Sequence, residues 1–227
     1  MITTVIFDLD DTLYDEIDYC RSGFHAVSRV LARLSNLSCT ADAFACLWKQ
    51  FTAGNHTATF NAALDELGLA CDDALIAQLV EVYRSHRPEL TLPSESRLAL
   101  DTLKKSYRLA LLTDGYLPAQ RLKVLALGLE SDFEAIVYTE ELGRTCWKPS
   151  PVGFETLIKQ LNVTPETMAY VADNETKDFV APNALGMLTI QLRRPARLHT
   201  GAAPRQGAAP RLRLDKIAEL PTLLDRY

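Results

Sequence analysis

Thr3-Thr4-Val5-Ile6-Phe7-Asp8-Leu9-Asp10-Asp11-Thr12 is the stretch that decides the fold. Its first five residues are β-branched or aromatic, a short apolar run that predicts a buried strand. Acids follow at once, at Asp8, Asp10 and Asp11, so the strand ends in a charged loop. These acids, and the lack of a cationic region before Ile2, argue against a secretion signal.

Beyond this strand the pattern changes. From Asp15 to about Leu34 the apolar residues Ile17, Cys20, Phe24, Val27, Leu31 and Leu34 recur with helical spacing. Phe44, Leu47, Trp48 and Phe51 predict a second helix ending near Gly54, and Phe60, Ala63, Leu64 and Leu67 a third stopped by Gly68. A fourth, capped by Asp72, carries Leu75, Ile76, Leu79, Val80 and Tyr83. Residues 15–87 therefore predict an inserted four-helix bundle, and Pro88 and Pro93 bracket a linker.

After the linker, helices and strands alternate. Helices are expected at about 94–104, 118–127, from Ser150, and 176–185, with strands at 109–112, 135–138, 168–172 and 188–192. Alternation of this kind argues for a parallel α/β sheet with right-handed crossovers. Arg211–Leu214 is expected as an edge strand and Asp215–Asp225 as a last helix. Residues 1–14 and 88–227 thus form one α/β core domain, and 15–87 a helical domain. The segment 193–210, rich in Pro, Gly and Ala with Arg193, Arg194, Arg197 and Arg205, reads as a solvated basic loop.

Composition narrows the classes. Of 227 residues, 48% are hydrophobic, which excludes a mainly disordered chain. Lys and Arg total 24 against 29 Asp and Glu, and the net charge of −5 argues against a nucleic-acid binder relying on a basic face. No apolar run approaches the roughly 20 residues of a membrane span. The five cysteines (Cys20, Cys39, Cys46, Cys71, Cys146) are odd in number and contain no C-x-x-C pair. They read as buried or half-buried thiols of a reducing, cytoplasmic compartment, and the sequons at Asn36, Asn55, Asn162 and Asn174 as chance matches.

In an open parallel sheet, sites form beyond the carboxyl ends of the strands. There the sequence places Asp8 and Asp10, then Thr113 and Asp114, then Lys148, then Asp173 and Asp178. Carboxylates packed together cannot all stay ionised without a cation. A hard divalent ion such as Mg²⁺ solves this through oxygen ligands while still binding phosphate. A lysine adds a charge that holds a carboxylate or an anionic substrate, and a hydroxyl beside helix-terminal amides suits a phosphoryl group. This set suits phosphoryl transfer, which is mostly positioning and charge neutralisation. Acids where a G-x-G-x-x-G loop is needed argue against a dinucleotide site.

D-L-D-D-T at 8–12, L-L-T-D-G at 111–115, W-K-P at 147–149 and V-A-D-N-E-T-K-D at 171–178, in that order, resemble the four motifs of the haloacid dehalogenase-like (HAD) hydrolase superfamily. The resemblance spans nearly the whole chain, and the helical insertion is similar to the family's C1-type cap. It implies a Rossmann-like parallel sheet and a Mg²⁺-dependent phosphatase working through an aspartyl-phosphate. Asp8 would be the nucleophile, Asp10 the general acid and base, Thr113 a phosphoryl hydrogen-bonding group, and Lys148 the residue that orients Asp8. The metal would be held by Asp8, Asp173 and the Asp10 backbone carbonyl, with Asp178 supporting the metal shell or Lys148. Ala172 stands where the family often has glycine, and a small residue is kept.

The implied substrate is a small phosphorylated metabolite such as a sugar phosphate or nucleoside monophosphate. The implied protein is a cytoplasmic monomer or homodimer with no nucleic-acid or membrane partner. A phosphomutase would use the same acids. A 2-haloacid dehalogenase needs neither a metal nor an acid two residues after the nucleophile, so Asp10 weighs against it. A non-catalytic relative would be expected to lose the nucleophile or the metal acids. Leaving-group discrimination is expected from the cap, at Tyr19, Arg21, Asn55 or His56, each of which also has a structural reading. Asp11 and Asp114 read as turn- or helix-supporting acids, Asn174 as a turn residue and Trp147 as packing. Thr12 is expected to hydrogen-bond the loop carrying Asp8.

Overall fold

In the computed structural model, which describes residues 1–34, 40–204 and 207–227, the chain divides into two units. One is Met1–Ile17 with Thr91–Tyr227 and the other is Asp18–Leu90, boundaries beside the expected 14/15 and 87/88. Cys39, the sequon at Asn36 and Arg205 lie outside the described residues. In chain order the elements are β1 (Thr4–Phe7), α1 (Glu16–Leu34), α2 (Thr40–Thr52), α3 (Thr59–Glu66), α4 (Asp73–Ser85), α5 (Ser94–Leu103), β2 (Arg108–Thr113), α6 (Ala119–Ala126) and β3 (Ala135–Tyr138). Then come α7 (Val152–Leu161), β4 (Met168–Ala172), α8 (Val180–Ala184), β5 (Leu188–Leu192), β6 (Leu212–Leu214) and α9 (Leu220–Leu224), with short 3-10 turns between.

The first unit holds a six-stranded sheet of order β3-β2-β1-β4-β5-β6, parallel throughout. β1 is central, with Thr4 opposite Arg108 on one side and Met168 on the other. Strand order reverses there, the place where such sheets open a crevice at their carboxyl ends. Strand side chains alternate. Ile6, Ala110, Leu112 and Tyr170 therefore pack with Phe154, Leu157 and Leu161 of α7. Val5, Phe7, Leu109 and Leu111 face the other way and are buried too, so the strands read as continuous apolar runs.

Two helices are shorter than expected. The segment predicted as a helix over 176–185 is a turn followed by α8 (Val180–Ala184). Asn174 Oδ1 accepts Thr176 N–H at 3.0 Å, and Asp178 Oδ2 accepts Asn174 N–H at 2.9 Å. These side chains satisfy the amides that a helix start would leave unpaired, and favour the turn. The expected helix 215–225 is a 3-10 turn, Ile217–Glu219, and then α9. Pro221, which has no N–H, fits only the first turn of that helix.

The segment 193–210 also departs from a solvated loop. Arg194 is 7% exposed; its guanidinium meets Asp15 Oδ1 at 2.5 Å and Glu95 Oε1 at 3.3 Å. Leu198 N–H donates to Asp11 Oδ2 at 2.7 Å. A buried arginine needs such partners, and two acids in the same unit supply them.

The second unit is helical. Phe24, Val27, Leu31, Leu47, Leu64 and Leu79 are buried, and the Phe24 ring lies 5.3 Å from Phe51 and 5.5 Å from Tyr83. A Cβ on Gly23 would stand 2.4 Å from Tyr83 Cε2, so only glycine lets that ring approach α1. Asp72 caps α4 as expected, accepting Leu75 N–H at 2.7 Å. The described cysteines are all free: Cys20 and Cys46 are buried and Cys146 is half-buried, but Cys71 is exposed, against expectation. Among the described residues, no helix is long and apolar enough to cross a membrane.

Candidate active site

Asp8 N–H continues the sheet ladder, donating to Val171 O at 2.9 Å. Asp8 therefore leaves β1 directly beside Asp173, the residue after β4. The chain then coils tightly, with Leu13 N–H on Leu9 O at 3.0 Å and Asp11 at φ 54°. Asp11 Oδ1 accepts Glu16 N–H at 2.8 Å, the helix-supporting role read from the sequence. Thr12 bonds the loop carrying Asp8 through its backbone, its N–H on Leu9 O at 3.3 Å, while its Oγ1 is buried with no hydrogen-bond partner.

Lys148 ties three strand ends together. Its Nζ lies 2.7 Å from Asp8 Oδ1, 2.8 Å from Asp178 Oδ1 and 2.9 Å from the Tyr170 hydroxyl. With the side chain 1% exposed, burial disfavours the ammonium, but the Asp178 and Asp8 carboxylates outweigh it and hold the pKa well above the usual lysine range. Burial pushes the Asp8 carboxyl up to about 6, with Lys148 pulling it down and Asp178 pushing it further up. Asp178 engages both its oxygens, one on Lys148 and one on Asn174 N–H.

Asp10 is gripped by α6. Lys123 Nζ lies 2.8 Å and 2.9 Å from its two oxygens, Gln120 Nε2 donates to Oδ2 at 2.9 Å, and the Tyr14 hydroxyl donates to Oδ1. Burial acts to raise this carboxyl, but the Lys123 charge and the donated hydrogen bonds hold it below the usual range. Gln120 also donates to Asp114 O at 2.8 Å and accepts the Thr113 hydroxyl at 3.3 Å. Gly115 makes room for it: φ is +142°, and a Cβ there would stand 2.2 Å from Gln120 Nε2. The nearby Glu16 carboxyl is pushed up to about 8 by burial and then by Asp10.

Asp114 does more than support a turn. It accepts the Thr139 hydroxyl at 2.8 Å, Lys148 N–H at 3.2 Å and the Lys177 ammonium at 3.1 Å. Asp173 is the opposite case. It is 3% exposed, and its Oδ2 is buried with no hydrogen-bond partner. Burial, then Asp178 and Asp8, push its carboxyl up to about 9. One oxygen each from Asp8, Asp173 and Asp178 lie within 4.8 Å of one another. Crowded carboxylates with an unused buried oxygen fit a hard divalent cation.

Asp8, Asp10, Thr113, Lys148, Asp173 and Asp178 thus come to one end of one sheet. The sequence reading did not single out Gln120, Lys123, Tyr170 or Lys177. Gln120 and Lys123 carried a signal: they stand one helical turn apart just after a strand-end motif, so they share a face. In the helical unit, Tyr19 is 4% exposed, and its hydroxyl donates to Tyr83 O at 3.1 Å. Arg21, Asn55 and His56 are exposed. Arg21 pairs with Asp18 at 2.7 Å and covers the Trp48 ring, Asn55 reaches Gln50 Oε1 at 2.7 Å, and His56 packs on Phe51.

A family model described as haloacid dehalogenase-like hydrolase matches residues 2–186. The chain is 28% identical to a glyceraldehyde 3-phosphate phosphatase of Methanopyrus kandleri, over 86% of this chain and 85% of the relative. It is 27% identical to a phosphoserine phosphatase of Thermus thermophilus, over 95% and 96% of the two chains. Among solved structures it resembles the HAD-hydrolase YfnB of Bacillus subtilis, with TM-score 0.70, 22% identity and 99% of each chain covered.

Proposed function

The chain belongs to the haloacid dehalogenase-like hydrolases, and from that membership we propose that it hydrolyses a small phosphate monoester, with Mg²⁺, through an aspartyl-phosphate on Asp8. The observation that carries the reading is Asp173, a carboxylate beside Asp8 whose Oδ2 is buried and without a donor. Asp8 and Asp173 would hold the cation through carboxylates and Asp10 through its backbone carbonyl. The cation supplies charge neutralisation for the carboxylates and the phosphoryl oxygens. Both named relatives are phosphatases, which supports the same reading.

Asp8 attacks phosphorus, forming an Asp8–phosphorus bond as the ester oxygen leaves with a proton from Asp10. Asp10, now a carboxylate, is stabilised by Lys123, Gln120 and Tyr14. In that state it is a base, and it takes a proton from the water that cleaves the aspartyl-phosphate. The proton gained there is the one given to the next leaving group. Lys148 fixes the attacking carboxylate from 2.7 Å, and the Thr113 hydroxyl turns from Gln120 to a phosphoryl oxygen. Discrimination among leaving groups is assigned to the helical unit, at Tyr19, Arg21, Asn55 or His56. Alanine variants there should change relative kcat/KM among esters and leave p-nitrophenyl phosphate much less affected.

The test is phosphate release from a metabolite panel, with Mg²⁺ and with EDTA, for the wild type and Asp8→Asn. Release that needs Mg²⁺ and falls by several orders of magnitude in the variant supports the reading. Release that survives EDTA or the substitution sinks it.

A further inference from the structure

Among the described residues three lysines reach this sheet end, and they differ in what they can do. Lys148 and Lys123 have side chains 1% and 3% exposed, and each is locked onto buried or half-buried carboxylates. Lys177 is one-third exposed, with its ammonium 3.1 Å from Asp114 Oδ2. Its charge also draws down the carboxyls of Asp8, Asp173 and Asp114. It immediately precedes Asp178, in the turn that Asn174 and Thr176 close.

Asp114 raises a difficulty that Lys177 answers. Asp114 follows Thr113, the hydroxyl assigned to a phosphoryl oxygen, and its carboxylate meets the backbone N–H of Lys148, so under the phosphatase reading the incoming phosphoryl anion has a carboxylate for a neighbour. Two anions that close repel unless a cation separates them. Asp114 also does not depend on Lys177 alone. Were the ammonium to leave, the carboxylate would keep the Thr139 hydroxyl at 2.8 Å and the Lys148 amide at 3.2 Å.

We propose that Lys177 is a phosphoryl-binding residue, parked on Asp114 in the free protein and moving its ammonium to a non-bridging phosphoryl oxygen when substrate arrives. The inference rests on the phosphatase reading above. It adds to that reading a second lysine from the β4 turn, with a role distinct from that of Lys148. A charge-assisted contact of this kind carries about tenfold to a hundredfold in affinity.

Inorganic phosphate is the probe, titrated calorimetrically into the Mg²⁺-loaded protein, with Mg²⁺ affinity and Tm measured alongside. Lys177→Gln should weaken phosphate binding by about tenfold or more and leave Mg²⁺ affinity within twofold, while Lys177→Arg should retain most of the binding. In Asp114→Asn the repulsion is gone, so adding Lys177→Gln there should cost less than it does alone. Phosphate affinity in Lys177→Gln within twofold of the wild type overturns the inference, as does an equal loss of phosphate and Mg²⁺ affinity, the mark of a structural pair. A wild type that neither binds phosphate nor hydrolyses any ester overturns the phosphatase reading, and this inference with it.

Discussion

Asp173 shows what a single side chain can hold in reserve. Its carboxyl, pushed to about 9 by burial and by Asp178 and Asp8, strains the metal-free fold. Asp173→Asn should raise the Tm of metal-free protein and abolish the further rise that Mg²⁺ gives the wild type, as scanning calorimetry with and without EDTA would record. Asp10→Asn should instead leave Mg²⁺ affinity nearly intact and lower turnover by about 10²–10⁴-fold. Equal metal loss in both variants would show the roles to be divided wrongly. Glu16 gives a pH dependence. It faces Asp10, Asp11, Lys123, Lys177 and His199, and its folded pKa is about 8. The folded state thus keeps a proton that the unfolded state releases near the ordinary value of 4.5. Stability therefore falls as pH rises from about 5 to 8. Glu16→Gln should flatten that decline in urea unfolding at pH 5, 6, 7 and 8; an unchanged slope would exclude Glu16 as its source. The acids at this site were legible in the sequence because they directly follow apolar strands. Lys177 was not, since a lysine is usually solvated, and Lys123 showed only the face it shares with Gln120, because only the fold tells which carboxylate a lysine meets.

Among the elements, strands were the more legible. β4 and β5, buried on both faces, stand where their apolar runs predict them, and so does β3, the half-buried strand at the sheet edge. Helix ends were less so. The turn before α8 depends on Asn174 and Asp178 capturing backbone amides, and Asp178 is itself held by Lys148, 30 positions earlier in the chain. α6 shows how an element can act as a unit. Gln120 and Lys123 project from consecutive turns to one carboxylate, so the helix positions Asp10. Lys123→Met should leave Asp10 without its ammonium partner, costing turnover and also stability by about 3–5 kcal/mol, the usual penalty for stranding a buried charge. Denaturant titration at neutral pH checks the stability, and single-turnover kinetics the chemistry. A variant as stable and as fast as the wild type would reduce the pair to a surface contact.

At the scale of the molecule, two compact units carry two cores and, by chance, one tryptophan each: Trp48 in the helical unit and Trp147 in the sheet unit. With Trp147→Phe, Trp48 alone reports on the helices. Phe24→Ala, emptying the helical core, should then shift the Trp48 transition to lower urea, by about 3–5 kcal/mol. Phe154→Ala should act on the sheet unit, followed by Trp147 in a Trp48→Phe background. If both substitutions move both probes equally, the units unfold as one. The placement of β1 has a consequence for how the protein is made. Thr4–Phe7 pairs with residues 108–111 on one side and 168–171 on the other, so the middle of the sheet is contributed by widely separated parts of the chain. The helical unit, a single run from Asp18 to Leu90, can form as it emerges from the ribosome. The apolar first strand has to wait. At translation speeds of about 5–20 residues per second, its second partner leaves the ribosome on the order of ten to thirty seconds later. Until residues 108–111 emerge β1 has neither partner, and until 168–171 emerge one of its edges stays open, the kind of nascent-chain intermediate that chaperones are there to shield.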